Sequence, residues 1–198
     1  MRFGLGSVRE NTWMAAAVAT AIAAWGVWQT VDFARSDTVD VTVEANGALP
    51  ALELFGGRFH EGNIVELTVA KADLGHLQGF VAFCGYARPV AVTLILLVGL
   101  YFLWRFCVDV ITEKPFTNRT NINLIMVGVA VVAYAVVPSI FARLGTNSVI
   151  GALDLDAFDS VGSATGTWIA LGIAVFVQIV FAAMQQGAKL AKDNEGLV

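Results

Sequence analysis

Residues 122–142 read INLIMVGVAVVAYAVVPSIFA, a stretch without one charged side chain. A continuous apolar run of about 20 residues crosses roughly 30 Å of hydrocarbon as a helix. The run does not alternate apolar and polar positions, so it is not a barrel strand. Three further runs have the same character: Trp13–Val31, Val90–Phe106 and Trp168–Met184. Only Thr20, Gln29 and Thr30 interrupt the first. Trp104 and Arg105 close the second, and Thr165 to Thr167 can extend the fourth backward. The expected fold class is an all-α membrane protein, a bundle of four transmembrane helices. Pro138 is expected to kink the third.

Composition agrees. Of 198 residues 57 % are hydrophobic and 14 % charged, with a mean hydropathy of +0.71. A typical soluble domain carries about 25 % charged residues. The net charge of −4 leaves no electrostatic footprint for direct nucleic-acid binding. The first run is longer than the 7–15 apolar residues usual in a signal peptide, and no convincing cleavage site precedes Val31. It is read as an uncleaved helix.

Lysine and arginine give the orientation. Arg2, Arg9, Arg105, Lys114, Arg119, Lys189 and Lys192 lie on one side. Arg35, Arg58, Lys71, Arg88 and Arg143 lie on the other, spread over about twice the chain length and accompanied by most of the acids. The first side is expected to be cytoplasmic, with both termini inside the inner membrane. The domains follow: a cytoplasmic N-terminus and first helix over 1–31, an extracytoplasmic β-rich insertion over 32–89, and helices two to four over 90–198. The last part includes a cytoplasmic link, 107–121, and a cytoplasmic tail, 187–198. Trp13, Trp28, Trp104 and Trp168 mark span ends.

Within the insertion, Val39, Val41 and Val43 alternate with polar residues, as do Val65, Leu67 and Val69. A shorter alternation surrounds Glu53, and Asn46-Gly47 is a turn signal. These predict two or three antiparallel strands, too few to fold alone and so packed on the helix ends. Asp73–Tyr86 reads as helical, as the possible start of a long second helix with Pro89 as a kink or restart. Residues 145–166, rich in Gly, Ser and Asp, read as a loop.

Chemical motifs are few. Asp154, Asp156 and Asp159 miss the calcium-loop spacing. His60, His76 and Cys84 show no zinc spacing. Cys84 and Cys107, 23 residues apart on one helix, are too distant for a disulfide. No nucleophile–base motif is visible, and no acid or base lies near a span midplane. The expectation is a non-enzymatic protein with no cofactor and no metal. Arg105 and Asp109, one turn apart, are expected to pair. Gly162, Gly166, Ala170 and Ala174, continued by Gln178, Ala182 and Gln186, repeat every four residues. They predict close helix packing, or alternatively a homo-oligomer face, with Ala15, Ala19 and Ala23 as a matching stripe. Such a row drifts about 40° per step on an ideal helix.

Two segments go beyond generic membrane composition. The link carries Pro115, Phe116 and Thr117, and the tail carries Gly187, Leu190, Glu195, Gly196, Leu197 and Val198. Together they resemble the bacterial four-span family known as domain of unknown function 2975, over about residues 90–198. The resemblance implies a four-helix fold and no established activity. It further implies a membrane partner for a small helix-turn-helix regulator, often encoded beside such proteins. Locally, Asn118 and Asn121 are expected to cap the third helix, with Pro115 ending the second and Phe116 anchoring at the interface. Pro115, Phe116, Thr117, Leu190, Glu195, Leu197 and Val198 are thus the candidate partner-binding residues, and the bilayer the other partner. The functional expectation is a regulatory, sensory or accessory subunit. The alternatives are a structural subunit of a larger membrane complex, or a small channel or lipid-handling protein.

Overall fold

The computed structural model describes residues 8–46, 53–54, 57–58, 62, 64–112, 117–161 and 164–195. Four long helices dominate: α1 (Val8–Arg35), α2 (Gln78–Ile111), α3 (Asn118–Ala152) and α4 (Ala164–Glu195). Each contains a stretch long and apolar enough to cross a membrane, which makes the chain a multi-pass membrane protein by length and composition. Large apolar side chains on these helices face outward, among them Trp13, Trp28, Trp168 and Phe176. In water this exposure would be ruinous; against lipid chains it is ordinary. Two of the three polar interruptions in α1 are neutralised locally. The hydroxyls of Thr20 and Thr30 donate to the carbonyls of Ala16 and Gly26, one turn back.

The chain divides into two compact units. The first comprises Met1–Trp25, Val92–Val136 and Thr165–Val198. Here α2 and α3 run antiparallel at close quarters, because a side chain on Gly99 would meet the Ala130 Cβ at 3.0 Å. On the part of α1 in this unit the less exposed positions are Asn11, Ala15, Ala19, Ile22 and Ala23, a stripe of mostly small residues at helical spacing.

The second unit comprises Gly26–Ala91 and Val137–Ala164. It holds a three-stranded antiparallel sheet of β1 (Thr38–Ala45), β4 (Ile64–Ala70) and β5 (Phe158–Ser160), with β1 central. Two short strands, β2 (Glu53–Leu54) and β3 (Gly57–Arg58), pair separately. The alternation in β1 does its expected work. Val41 and Val43 face inward onto Leu74, Val81 of α2 and Val149 of α3, while Asp40 accepts a 2.7 Å hydrogen bond from Thr68 on the polar face. Val41 lies opposite Leu67 and Val43 opposite Val65, so both strands present one apolar face.

Two expectations need correction. The third strand of the main sheet is β5, drawn from the stretch read as a loop, rather than the alternation around Glu53. Residues 145–152 of that stretch continue α3 as helix. Helix two, by contrast, is the long helix that the reading of Asp73–Tyr86 allowed. A 3-10 turn, Lys71–Leu77, leads through Gly75 (φ 51°) into α2, which passes Pro89 without ending. The proline costs one backbone hydrogen bond, which the rest of a long helix tolerates. Gly47 of the predicted turn lies outside the described residues. Asn46 itself donates through its amide nitrogen to Ala157 and through Nδ2 to Asp156, tying β1 to the β5 side.

Candidate functional site

The strongest polar cluster among the described residues joins the end of α2 to the start of α3. An α-helix begins with free amide groups that need acceptors. At α3 the acceptor is Thr117, whose Oγ1 takes the Thr120 amide at 3.2 Å. Thr117 is therefore the cap, and not Asn118 or Asn121, which both lie inside the helix. A threonine hydroxyl at the residue before the first turn reaches the third amide directly. The Asn121 amide donates to the Thr117 carbonyl, and the Asn121 Oδ1 is buried without a partner.

From the cap the hydrogen bonds continue inward. The Thr117 and Thr120 hydroxyls lie 2.7 Å apart, and Thr120 Oγ1 donates to Asp109 Oδ2 at 3.4 Å. Since the Thr120 proton goes to the carboxylate, Thr117 is the donor in the hydroxyl pair. Asn123 Nδ2 donates to the same Asp109 oxygen at 3.0 Å. Thr120 is fully buried and Asn123 nearly so. Asp109 sits in the last turn of α2, where a negative charge opposes that helix's own dipole. Its partners sit in the first turns of α3, where the dipole favours it. The carboxylate thus works as a clasp between two antiparallel helices, from the end of α2 to the start of α3.

The expected Arg105–Asp109 pair is not what forms. Arg105 Nη1 donates to the Tyr101 hydroxyl at 2.7 Å, with the guanidinium 5.6 Å from that ring's centre. Helical side chains lean toward the N-terminus, which carries Arg105 to Tyr101 and away from Asp109. Nearby, Trp104 Nε1 donates to Thr12 on α1 at 3.4 Å.

The sequence-derived site residues fall as follows. Pro115, Phe116, Leu197 and Val198 lie outside the described residues, as does Gly162 of the packing row. Thr117 is the cap just described. Leu190 and Glu195 belong to α4, so the tail continues that helix as far as Glu195. Ala170 is buried, with Gly166 and Ala174 half-buried. Beyond them the buried face passes to Val177, whose Cγ1 fills the space beside Gly128 of α3. Gln178, Ala182 and Gln186, which continue the four-residue spacing, are exposed. A row spaced by four drifts around a 3.6-residue helix, so a single face cannot hold it.

Sequence reasoning missed Asp109, Thr120 and Asn123 as a unit. The available signal was the pair of polar residues, Thr120 and Asn123, at the head of an apolar run, where only a partner on another helix explains them. Elsewhere, Asp159 pairs across from Glu44 in the sheet, and Asp154 occupies a turn with φ 50°. Among the described residues no three His, Cys, Asp or Glu side chains gather as metal ligands would.

A family model described as "Protein of unknown function (DUF2975)" matches residues 59–198. No curated protein and no solved structure matches the chain.

Proposed function

Because the chain belongs to the DUF2975 family of unknown function, we propose that it is a non-enzymatic subunit that regulates or assists a protein partner. It acts through the 107–121 link and the 187–198 tail. The observation that carries the reading is the clasp. Asp109 near the start of the link and Thr117, Thr120 and Asn123 at and just beyond its far end are joined by hydrogen bonds of 2.7–3.4 Å. A surface whose flanking helix ends are already fixed loses less conformational entropy on binding, which supports docking at this end of the helices. Pro115, Phe116 and Thr117 then present the contact, with Leu190, Glu195, Leu197 and Val198 on the second segment.

The cation distribution supports a location in the cytoplasmic membrane with both termini and the link inside. The β1–β4–β5 sheet is then extracytoplasmic, and this sheet-bearing unit is the natural place for a signal to be received. The resemblance in the link and tail makes a small helix-turn-helix regulator the first partner to test. A structural role in a larger membrane complex is the alternative. It predicts co-purification at a fixed ratio with membrane proteins rather than with a soluble regulator. The deciding experiment is a mild-detergent pull-down with mass spectrometry on wild type, Phe116→Ala and a chain lacking Ala191 to Val198.

A further inference from the structure

An apolar groove of about 190 Å³ runs between α2 and α3 in the first unit. Leu94, Ile95 and Val98 form one wall, and Met126, Val129 and Ala130 the other, with no polar atom exposed in the lining. The groove is open on one side, and Leu94, Val98 and Val129 are about half exposed. It lies in the middle of both apolar runs. Two helices this close, at Gly99 and Ala130, leave a valley that neither helix's own side chains fill.

The same face of α2 continues toward the link. Leu94, Val98, Tyr101 and Arg105 follow at spacings of four, three and four, so they form one stripe. The stripe ends in a cation. Arg105 gives one N–H to the Tyr101 hydroxyl, and a guanidinium has five to give. No carboxylate among the described residues pairs with it, and Asp109, one turn further on, is occupied by Thr120 and Asn123. At 1.5 Å per residue, Leu94 and Arg105 are separated by about 16 Å along the helix axis. Half the hydrocarbon thickness of a bilayer is about 15 Å.

We propose that this stripe is a binding site for one anionic phospholipid of the leaflet on the Arg105 side. The acyl chain lies in the Leu94–Val98–Ala130 groove, and the phosphate is held by Arg105 and the Tyr101 hydroxyl. Two features choose this occupant over a bare helix of a second copy. The groove alone would accept any apolar rod, but a rod offers no acceptor to a guanidinium that pairs with no carboxylate among the described residues. Conversely, a free phosphate would satisfy Arg105 but leave the groove to bulk lipid. Arginine and phosphate make short, charge-assisted hydrogen bonds, and basic sites between membrane helices hold lipid head groups in this manner.

The inference is independent of which side of the membrane is cytoplasmic and of any protein partner. Delipidated protein in mild detergent is titrated with dioleoyl phosphatidylglycerol, with dioleoyl phosphatidylcholine and with inorganic phosphate, and bound lipid is counted by native mass spectrometry. One phosphatidylglycerol per chain is expected, held about tenfold more tightly than phosphatidylcholine, and not displaced by inorganic phosphate. Arg105→Gln should remove that preference, leaving both lipids equally weak. Val98→Trp, which fills the groove, should weaken both. Equal retention of the two lipids by wild type would overturn the proposal. So would an unchanged preference in Arg105→Gln, displacement by inorganic phosphate, or a dimer that excludes lipid from Val98. Should Val98→Trp fail to fold, the Arg105→Gln comparison decides alone.

Discussion

The ring of Phe33, near the end of α1, occupies the space that a side chain on Gly85 of α2 would need. The same ring stands edge-on to Tyr86, with centroids 5.0 Å apart, and the Lys71 ammonium lies 4.1 Å above it. One phenylalanine therefore joins α1, the turn after β4 and the first part of α2. Gly85→Ala should push the ring out and cost about 2 kcal/mol, the usual range for overpacking. Gly79→Ala, on the same helix with nothing within 4 Å of the added methyl, should be neutral or slightly stabilising. Thermal unfolding of the two variants in one detergent checks the contrast. Equal melting curves would mean that Phe33 yields freely.

Lys71 also closes α1. Its Nζ donates to the carbonyls of Phe33 and Ser36 at 2.6 and 2.5 Å, and its backbone amide donates to Asp37 at 2.9 Å. Helix-terminal carbonyls need such donors. Lys71→Met keeps the stem and the ring contact but leaves two carbonyls unpaired, at a cost of about 1–3 kcal/mol. Hydrogen exchange should accelerate over residues 33–38 and spare α4. Unchanged protection there would show that water replaces the lysine without penalty.

Cysteine labelling tests the orientation. Cys84 is buried and should resist maleimide on intact cells and in detergent alike. With Cys84→Ala and Cys107→Ser as background, Asp156→Cys and Lys189→Cys place thiols at exposed positions. An impermeant maleimide should label the first on intact cells and the second only after lysis. The reverse pattern would invert the cation-based topology.

Much of the architecture was legible because hydropathy acts over long runs. The stretch from Ile122 to Ala142 is apolar wherever it is read, and β1 and β4 alternate over enough residues to declare a face. What was not legible depends on partners distant in the chain. Phe158–Ser160 is a strand only because Val43 to Ala45 offer it an edge. Residues 145–152 look like loop, with Gly145, Thr146 and Asn147, yet a side chain on Gly145 would meet the Cys84 Cβ at 3.4 Å and Val149 is fully buried. The candidate site was half read. Thr117 was singled out from a motif, but its bonds to Thr120 and onward to Asp109 require the antiparallel register of α2 and α3. The Gly166–Ala170 row was visible, and its turn toward Val177 follows from helical periodicity once a neighbour such as Gly128 is in place.

The clasp itself can be opened without touching Pro115, Phe116 or Thr117. Asn123→Leu removes one donor to Asp109 and fits the apolar neighbourhood by size, whereas Asp109→Leu leaves the Asn123 donor buried without its acceptor. The first should cost about 1 kcal/mol and the second about 2–3 kcal/mol, because an unpaired buried polar group carries its full desolvation penalty. Melting temperatures in detergent should fall in that order, and equal values would mean that Asp109 is solvated rather than clasped.

The account rests most directly on partner capture by the link and tail. Affinity-tagged wild type, Phe116→Ala and the chain lacking Ala191 to Val198 are to be purified in mild detergent, checked for the same melting curve, and compared for retained proteins by quantitative mass spectrometry. The docking account predicts one partner at fixed ratio in wild type, reduced about tenfold by Phe116→Ala, an anchor residue in a small interface, and lost on truncation. Identical retention by all three proteins would contradict it and leave the link and tail as parts of the helical framework alone.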